Sequence, residues 1–72
     1  MKTRVYEVHR KKDVSGVSGT GHVADAVVFE DGTTVLRWRV PRKASTAIYA
    51  SLENAVEVHG HDGKTQFRLV SE

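Results

Sequence analysis

The stretch from His22 to Val40, HVADAVVFEDGTTVLRWRV, decides the fold. It contains two runs rich in β-branched and aromatic residues, 22–30 and 33–40, joined by Asp31-Gly32. Asp-Gly between two such runs is a strong hairpin signal, because a type I′ turn requires positive φ angles that glycine adopts readily. The sequence therefore predicts an antiparallel hairpin with a two-residue turn.

This two-residue turn fixes the pairing of the two strands. Phe29 then lies opposite Thr34, and Asp25 lies opposite Trp38. In this register Asp25 lies among apolar neighbours, where an unpaired carboxylate is costly, so we expect it to accept a hydrogen bond from Trp38 or a backbone N–H. The side chains that share this face are Val23, Asp25, Val27, Phe29, Thr34, Leu36, Trp38 and Val40.

The segments outside the hairpin add three more strands. Alternating polarity predicts a strand over residues 3–10, and a β-branched and aromatic run predicts a short strand over 46–49. A last strand is expected over 65–70, with Phe67 and Leu69 facing inward.

One short helix follows the strand at 46–49. Ser51 is a suitable N-cap, the apolar residues after it recur at helical spacing, and Gly60 is a natural residue to end the helix. Residues 1–72 are therefore expected to form a single domain of the α+β class, mostly β. It would be a small, strongly bent antiparallel sheet or open barrel of about five strands with one short helix.

Composition limits what so short a chain does. It has 72 residues, no cysteine and a net charge of +2, which excludes a disulfide scaffold, thiolate zinc sites and cysteine nucleophiles. No apolar run approaches the roughly 18 residues of a membrane helix, and no signal-peptide pattern is present, so a cytoplasmic protein is expected. Because a thin core leaves little room for a catalytic cavity, we expect a binding protein without a cofactor rather than an enzyme.

Basic residues are concentrated in two parts of the sequence. Nine of the eleven lysines and arginines lie in segments 2–12 and 37–43. If the first and third strands lie close together, these residues form one basic face suited to phosphate groups, although a solvated surface is the plainer interpretation. Trp38 is expected to point into the core, away from its arginine neighbours. The candidate anion or nucleic-acid contacts are Arg10, Lys11, Lys12, Arg37, Arg39, Arg42 and Lys43.

Segment 15–21, SGVSGTG, is a glycine-rich connection between two strands. Its backbone N–H groups could hold a phosphate, with Ser18, Gly19, Thr20 and Gly21 as the contacts. The dinucleotide-binding and P-loop motifs require a helix after the glycines, whereas a strand is predicted here, so both motifs are excluded. A tight corner between strands is the plainer interpretation of the same glycines.

The run His59-Gly-His61-Asp62 is the best metal candidate in the sequence. A metal site needs three or four converging ligands, so His22 or Asp25 would have to join from another strand. Asp25, His59 and His61 are therefore a candidate polar site. The plainer interpretation is a histidine at the helix C-terminus, where the helix dipole favours it, followed by a polar turn, so no metal is expected.

Three strings of the sequence carry a resemblance. They are VSGVSGTGHVADAVVFEDGT at 14–33, STAIY at 45–49 and VHGHDGKT at 58–65. The chain resembles a family of small proteins encoded by actinobacteria and their phages, and the resemblance covers most of its length. It implies an origin rather than an activity: a bacteriophage or prophage accessory protein in the host cytoplasm, acting on host machinery, host signalling or phage DNA.

The leading hypothesis is a non-enzymatic binding protein whose ligand is a host protein or an anionic molecule. The alternatives are a small nucleic-acid-binding barrel that uses the basic face, a binder of phosphorylated nucleotides that uses segment 15–21 and the HGHDG turn, and a small metal-dependent enzyme. We also expect a homodimer, because a thin core gains from sharing a sheet edge or an apolar patch. The candidate interface residues are Val28, Val35, Ile48 and Tyr49.

Overall fold

The computed structural model describes residues 2–11, 20–39, 44–59 and 65–71. The five strands form one antiparallel sheet in the order β4-β3-β2-β1-β5, so β4 and β5 are its edges. The predicted fold class, a small antiparallel sheet of five strands with one short helix, is confirmed. Along the chain the elements are β1 (Arg4–Arg10), β2 (Gly21–Val28), β3 (Thr34–Trp38), β4 (Thr46–Tyr49), α1 (Leu52–His59) and β5 (Thr65–Ser71).

One face of the sheet, which we call the helix face, carries the core. Small alanine side chains in β2 and α1 let the short helix lie close to the sheet. Ser51 caps α1 as predicted, because its Oγ accepts a hydrogen bond from the Asn54 N–H at 3.1 Å. The buried apolar residues of the core are Tyr6, Val8, Val23, Ala24, Ala26, Val28, Leu36 and Ala55.

The β2–β3 hairpin differs from the prediction by one residue. The Phe29 N–H donates to the Thr33 carbonyl at 2.8 Å, and the Gly32 N–H donates to the Phe29 carbonyl at 2.9 Å. These bonds close a three-residue loop over 30–32, in which Gly32 has a φ of 95°. Three-residue hairpin loops place one left-handed residue at their end, and glycine suits that position. The Asp-Gly signal therefore predicts the hairpin correctly and the two-residue turn wrongly.

The longer loop shifts the register and moves side chains to the opposite face. Asp25 pairs with Arg37 rather than with Trp38, and Val28 pairs with Thr34. Because side chains alternate along a strand, a slip of one residue exchanges the two faces. Val28 is only 1% exposed, whereas the Asp25 side chain is 42% exposed on the face away from the core. The predicted apolar face is therefore correct for Thr34, Leu36 and Trp38 of β3. In β2 it is wrong for Asp25, Val27 and Phe29, which do not face the core.

Other core predictions have mixed outcomes. Trp38 and Phe67 pack against the core as predicted. Leu69 lies on the helix face as predicted, opposite Tyr6, but it is 51% exposed because no described element covers that part of the edge strand β5. Val23 is an extra residue at a bulge in β2, so that Val23 and Ala24 are both buried and simple alternation fails there.

The antiparallel order gives the sheet two different ends. At the turn end lie the hairpin loop 30–32 and the junction 50–51 between β4 and α1. At the loop end, the longer connections 11–20, 39–45 and 60–64 all start and finish. The face opposite the helix face, which we call the open face, is covered by no element of the described chain.

Candidate functional site

Most of the basic residues of the sequence lie in or beside the connections that start and finish at the loop end. Seven of the eleven lysines and arginines lie in segments 10–20, 39–45 and 60–65, together with only two of the nine acidic residues. These segments are far apart in the sequence, but each begins and finishes at the same end of the sheet. The rest of the chain holds four basic and seven acidic residues, although two of these acidic residues, Glu7 of β1 and Asp25 of β2, also lie toward the loop end.

Arg10 is placed differently from the prediction. It is 3% exposed on the helix face, and its Nε donates to Thr65 Oγ1 at 3.2 Å. Its guanidinium carbon lies 5.5 Å from the centroid of the Trp38 ring, within the range of a cation–π contact. Arg10 therefore contributes charge to the loop end from inside the fold and is not part of a solvent-facing basic surface.

The other predicted basic residues of the described chain are exposed. Lys11 follows the end of β1. Arg37 lies on the open face, where its Nη1 donates to Thr46 Oγ1 at 2.9 Å, and Arg39 contacts His22 on the same face. Outside the described residues lie Lys12, Arg42 and Lys43.

Five polar residues form a group on the open face at the loop end, which we call the histidine cluster: Glu7, His9, His22, Asp25 and Arg39. His9 and His22 are partners across the β1–β2 pair, and their rings stack with centroids 5.0 Å apart. Each ring contacts one carboxylate. Glu7 Oε1 lies 2.8 Å from His9 Nε2, and Asp25 Oδ1 lies 2.7 Å from His22 Nε2. Arg39 Nη1 lies 3.0 Å from His22 Nδ1.

The hydrogen bonds of the histidine cluster orient its rings. A carboxylate only accepts, so the Nε2–H of His22 donates to Asp25 and Nδ1 is left as an acceptor. Arg39 Nη1 lies near both ring nitrogens, 3.0 Å from Nδ1 and 3.3 Å from Nε2. The hydrogen bond from His9 lowers the pKa of Glu7 below its usual value, against the smaller opposing effect of desolvation. The histidine cluster therefore offers two imidazoles and two carboxylates, with one guanidinium at its rim.

The structure does not bring the predicted polar site together. His59 packs edge-on against Trp38, with ring centroids 5.0 Å apart, and against Tyr49 at 5.6 Å. The Tyr49 hydroxyl is hydrogen-bonded to His59 Nε2. These rings lie on the helix face, whereas Asp25 lies on the open face, so the sheet separates Asp25 from His59. His61 lies outside the described residues.

The glycine-rich segment 15–21 is described only at its end. Thr20 is exposed, and Gly21 begins β2 with a φ of 82°, which glycine adopts without strain. Ser18 and Gly19 lie outside the described residues, so the anion contact expected in this segment stays a prediction.

Only part of the histidine cluster can be recognised in the amino-acid sequence. Glu7 and His9 are two residues apart in a strand, and this spacing alone places them on one face. The position of His22 opposite His9 depends on the bulge at Val23, which shifts the register of β2 by one residue. Arg39 in turn depends on the length of the hairpin loop, so only half of the cluster is visible as a pattern.

No helix within the described ranges is long and apolar enough to span a membrane.

The comparisons with known proteins give one finding. Neither curated proteins nor solved structures give a match. The profile of the Acb5 phage protein family matches residues 3–71, almost the whole length of the chain. This match confirms that the chain resembles a phage protein family. The actinobacterial origin stays a prediction. With its sheet, its helix and its loop end inside that match, the chain belongs to the Acb5 phage protein family.

Proposed function

We propose that the protein is a phage accessory factor without catalytic activity that binds an anionic, phosphate-bearing ligand at the loop end. The observation that carries the proposal is that three connections, 11–20, 39–45 and 60–64, start and finish at the loop end and hold six of the eleven basic residues of the sequence. Concentrated positive charge attracts phosphate groups and accelerates their association. Membership of a phage protein family supports the accessory role.

A phosphorylated nucleotide fits this proposal better than a nucleic-acid strand. Proteins that bind single strands stack successive bases on accessible aromatic rings. Here Trp38 and Tyr49 are packed against the core on the helix face. The described part of the open face presents valines, an isoleucine, charged groups and the half-buried His9 and His22 rings, which stack on each other, and the exposed Phe29 lies beside the hairpin loop at the turn end, away from the basic segments. A nucleotide needs only a few cations for its phosphates, and a host protein is the competing target.

Binding is tested with fluorescently labelled ATP and a labelled short DNA strand in a series of salt concentrations. ATP affinity is expected to fall steeply as salt rises, because phosphate contacts are screened and release counterions. Lys11→Gln and Arg39→Gln should each weaken ATP binding about two- to fivefold, as one exposed charge contact does.

The matched controls change the same residue types away from the loop end. Lys2→Gln, before β1, and Arg4→Gln, at the turn end of β1, should leave ATP affinity unchanged. Equal losses in all four variants, or no ATP binding at low salt, would contradict the proposal. Tighter binding of the DNA strand than of ATP would favour the nucleic-acid alternative.

The open face also carries an apolar row, which favours self-association. Val5, Val27, Val35 and Ile48 are successive neighbours across β1, β2, β3 and β4. Ile48 is 71% exposed on an edge strand, and such edges are usually paired or covered. We propose that a second copy of the chain covers this row. Val28, also predicted for the interface, is excluded because it is buried.

Light scattering tests the proposed dimer. A single chain has a mass of 8.0 kDa, so a twofold dimer gives about 16 kDa. Ile48→Asp should shift the mass toward the monomer, whereas Val58→Asp, at a valine of α1 that is 53% exposed, should not. A monomer mass for the unchanged chain at micromolar concentration would overturn the proposal.

A further inference from the structure

We propose that Glu7, His9 and His22 form a binding site for a divalent transition-metal ion such as Zn²⁺. Their ligand atoms, one carboxylate oxygen and two imidazole nitrogens, all lie within 4.8 Å of one another. Two imidazoles and a carboxylate are a donor set that zinc and its neighbours in the first transition series prefer, whereas magnesium and calcium prefer oxygen alone. This site differs from the sequence-based candidate, which combined His59 and His61 with Asp25.

The strand geometry holds the three donors close to the arrangement a metal requires. Glu7 and His9 lie on one face of β1, and His22 lies opposite His9 across the strand pair. Glu7 Oε1 and His9 Nε2 are already 2.8 Å apart. Donor atoms around a tetrahedral zinc ion are roughly 3.4 Å apart, so Glu7 and His9 already approach that separation. The His22 ring, which stacks on His9, has to rotate so that its nitrogen faces the same ion. A metal ion would take the place of the proton that these two groups share.

The partner of His22 completes the arrangement. Asp25 Oδ1 accepts from the Nε2–H of His22 at 2.7 Å, which orients the ring and leaves Nδ1 as the metal donor. A carboxylate on the far nitrogen of a ligating histidine is the usual supporting contact of zinc sites. Asp25 is therefore assigned as a positioning residue rather than a ligand.

The net charge of the histidine cluster favours a cation, and Arg39 competes with that cation for His22. With neutral imidazoles, Glu7, Asp25 and Arg39 give the histidine cluster one net negative charge, which favours a cation. Arg39 Nη1 lies 3.0 Å from His22 Nδ1, the atom assigned to the metal. Arg39 must therefore turn away when the metal binds. Its removal should strengthen binding rather than weaken it.

The test is a calorimetric titration of the chelator-treated protein with Zn²⁺ alone, so it does not depend on the proposed anionic ligand. One zinc ion per chain is expected. Glu7→Gln and His9→Gln should weaken binding at least tenfold, and Asp25→Asn about ten- to hundredfold through the loss of its support of His22. Arg39→Gln should bind zinc more tightly than the unchanged chain.

His59→Gln is the matched control, because it removes a histidine on the helix face and should leave zinc affinity unchanged. Circular dichroism checks that each variant is folded, and the histidine ring signals in NMR show which rings respond to zinc. Shifts in His9 and His22 are expected. Three results would overturn the proposal: no saturable binding, affinity that survives His9→Gln, or affinity lost in His59→Gln while the variant remains folded.

Discussion

The two ends of the sheet are built on different principles. At the turn end the connections are short, and the hairpin loop 30–32 is closed by backbone hydrogen bonds of 2.8 and 2.9 Å. At the loop end three longer connections start and finish, and most of the basic residues of the sequence lie in or beside them. Both ends have a glycine with positive φ, Gly32 and Gly21. Only the turn end uses its glycine to set the register of the core.

The residues that determine stability and the residues that could contact a ligand therefore lie at opposite ends of the sheet. The register fixed at the turn end decides that Val28 and Leu36 face the helix, so substitutions there act on folding. The loop end holds the groups that could contact a ligand, and most of them are partly exposed. We therefore expect substitutions at the turn end to reduce stability and substitutions at the loop end to reduce ligand binding.

The largest expected effect is Val28→Glu, at the turn end of β2. Val28 is 1% exposed, and a buried carboxylate without a partner is among the most destabilising changes in a core. We expect a loss of more than about 4 kcal/mol in the free energy of unfolding, enough to unfold so small a domain. Urea denaturation followed by circular dichroism measures it.

Val58→Glu is the control for Val28→Glu, because it places the same carboxylate on an exposed valine of α1. It should unfold at nearly the urea concentration of the unchanged chain. A folded Val28→Glu protein with unchanged stability would contradict the register of the hairpin and return Val28 to the surface.

The next largest effect is expected for Gly32→Val in the hairpin loop. Gly32 has a φ of 95°, and a β-branched residue is strained in that conformation. The nearest atom to an added Cβ would be the Ala50 carbonyl oxygen at 3.9 Å, so the penalty is conformational and not a clash. We expect a loss of about 1–2 kcal/mol, measured by thermal unfolding. Gly32→Asn should cost less, and equal melting temperatures for both variants would count against the loop.

Much of the fold can be predicted because its signals are local. Segment 46–49 is a β-branched and aromatic run, Ser51 is an N-cap next to it, and the Asp-Gly pair marks a hairpin. Each of these features depends on residues adjacent in the sequence. Which side chains of a strand face the core cannot be predicted in this way. It depends on the length of the hairpin loop, and a loop of two residues and a loop of three both contain the same Asp-Gly.

One warning of the wrong register was present in the sequence. The two-residue turn placed Asp25 among apolar side chains, an arrangement that costs free energy unless a partner is found. The alternative register buries Ala24 and Ala26, which are small and give a weak hydrophobic signal, although small residues are what a closely packed helix requires. Arg10 was misplaced for a related reason, because its packing on Trp38 joins residues 28 positions apart.

A smaller effect on stability is expected when the charges of the loop end are removed. Lys11→Gln combined with Arg39→Gln should change the free energy of unfolding by less than about 0.5 kcal/mol, because both side chains are exposed. The same double variant should lose ATP affinity, so binding and stability can be measured on one sample. A loss of stability comparable with that of Gly32→Val would show that the two ends are not divided as proposed.

The smallest expected effect is a pH dependence at the turn end. The Thr33 N–H donates to Asp31 Oδ1 at 2.8 Å, and this bond lowers the pKa of Asp31 from the ordinary 3.8. A carboxylate with a lower pKa in the folded state adds stability above its unfolded pKa and loses that contribution as the pH falls through the folded value. Asp31→Asn should therefore be less stable than the unchanged chain at neutral pH, and the difference should shrink below about pH 4. Urea denaturation between neutral and acidic pH measures this difference, and a constant gap would show that the Asp31 carboxylate does not stabilise the loop.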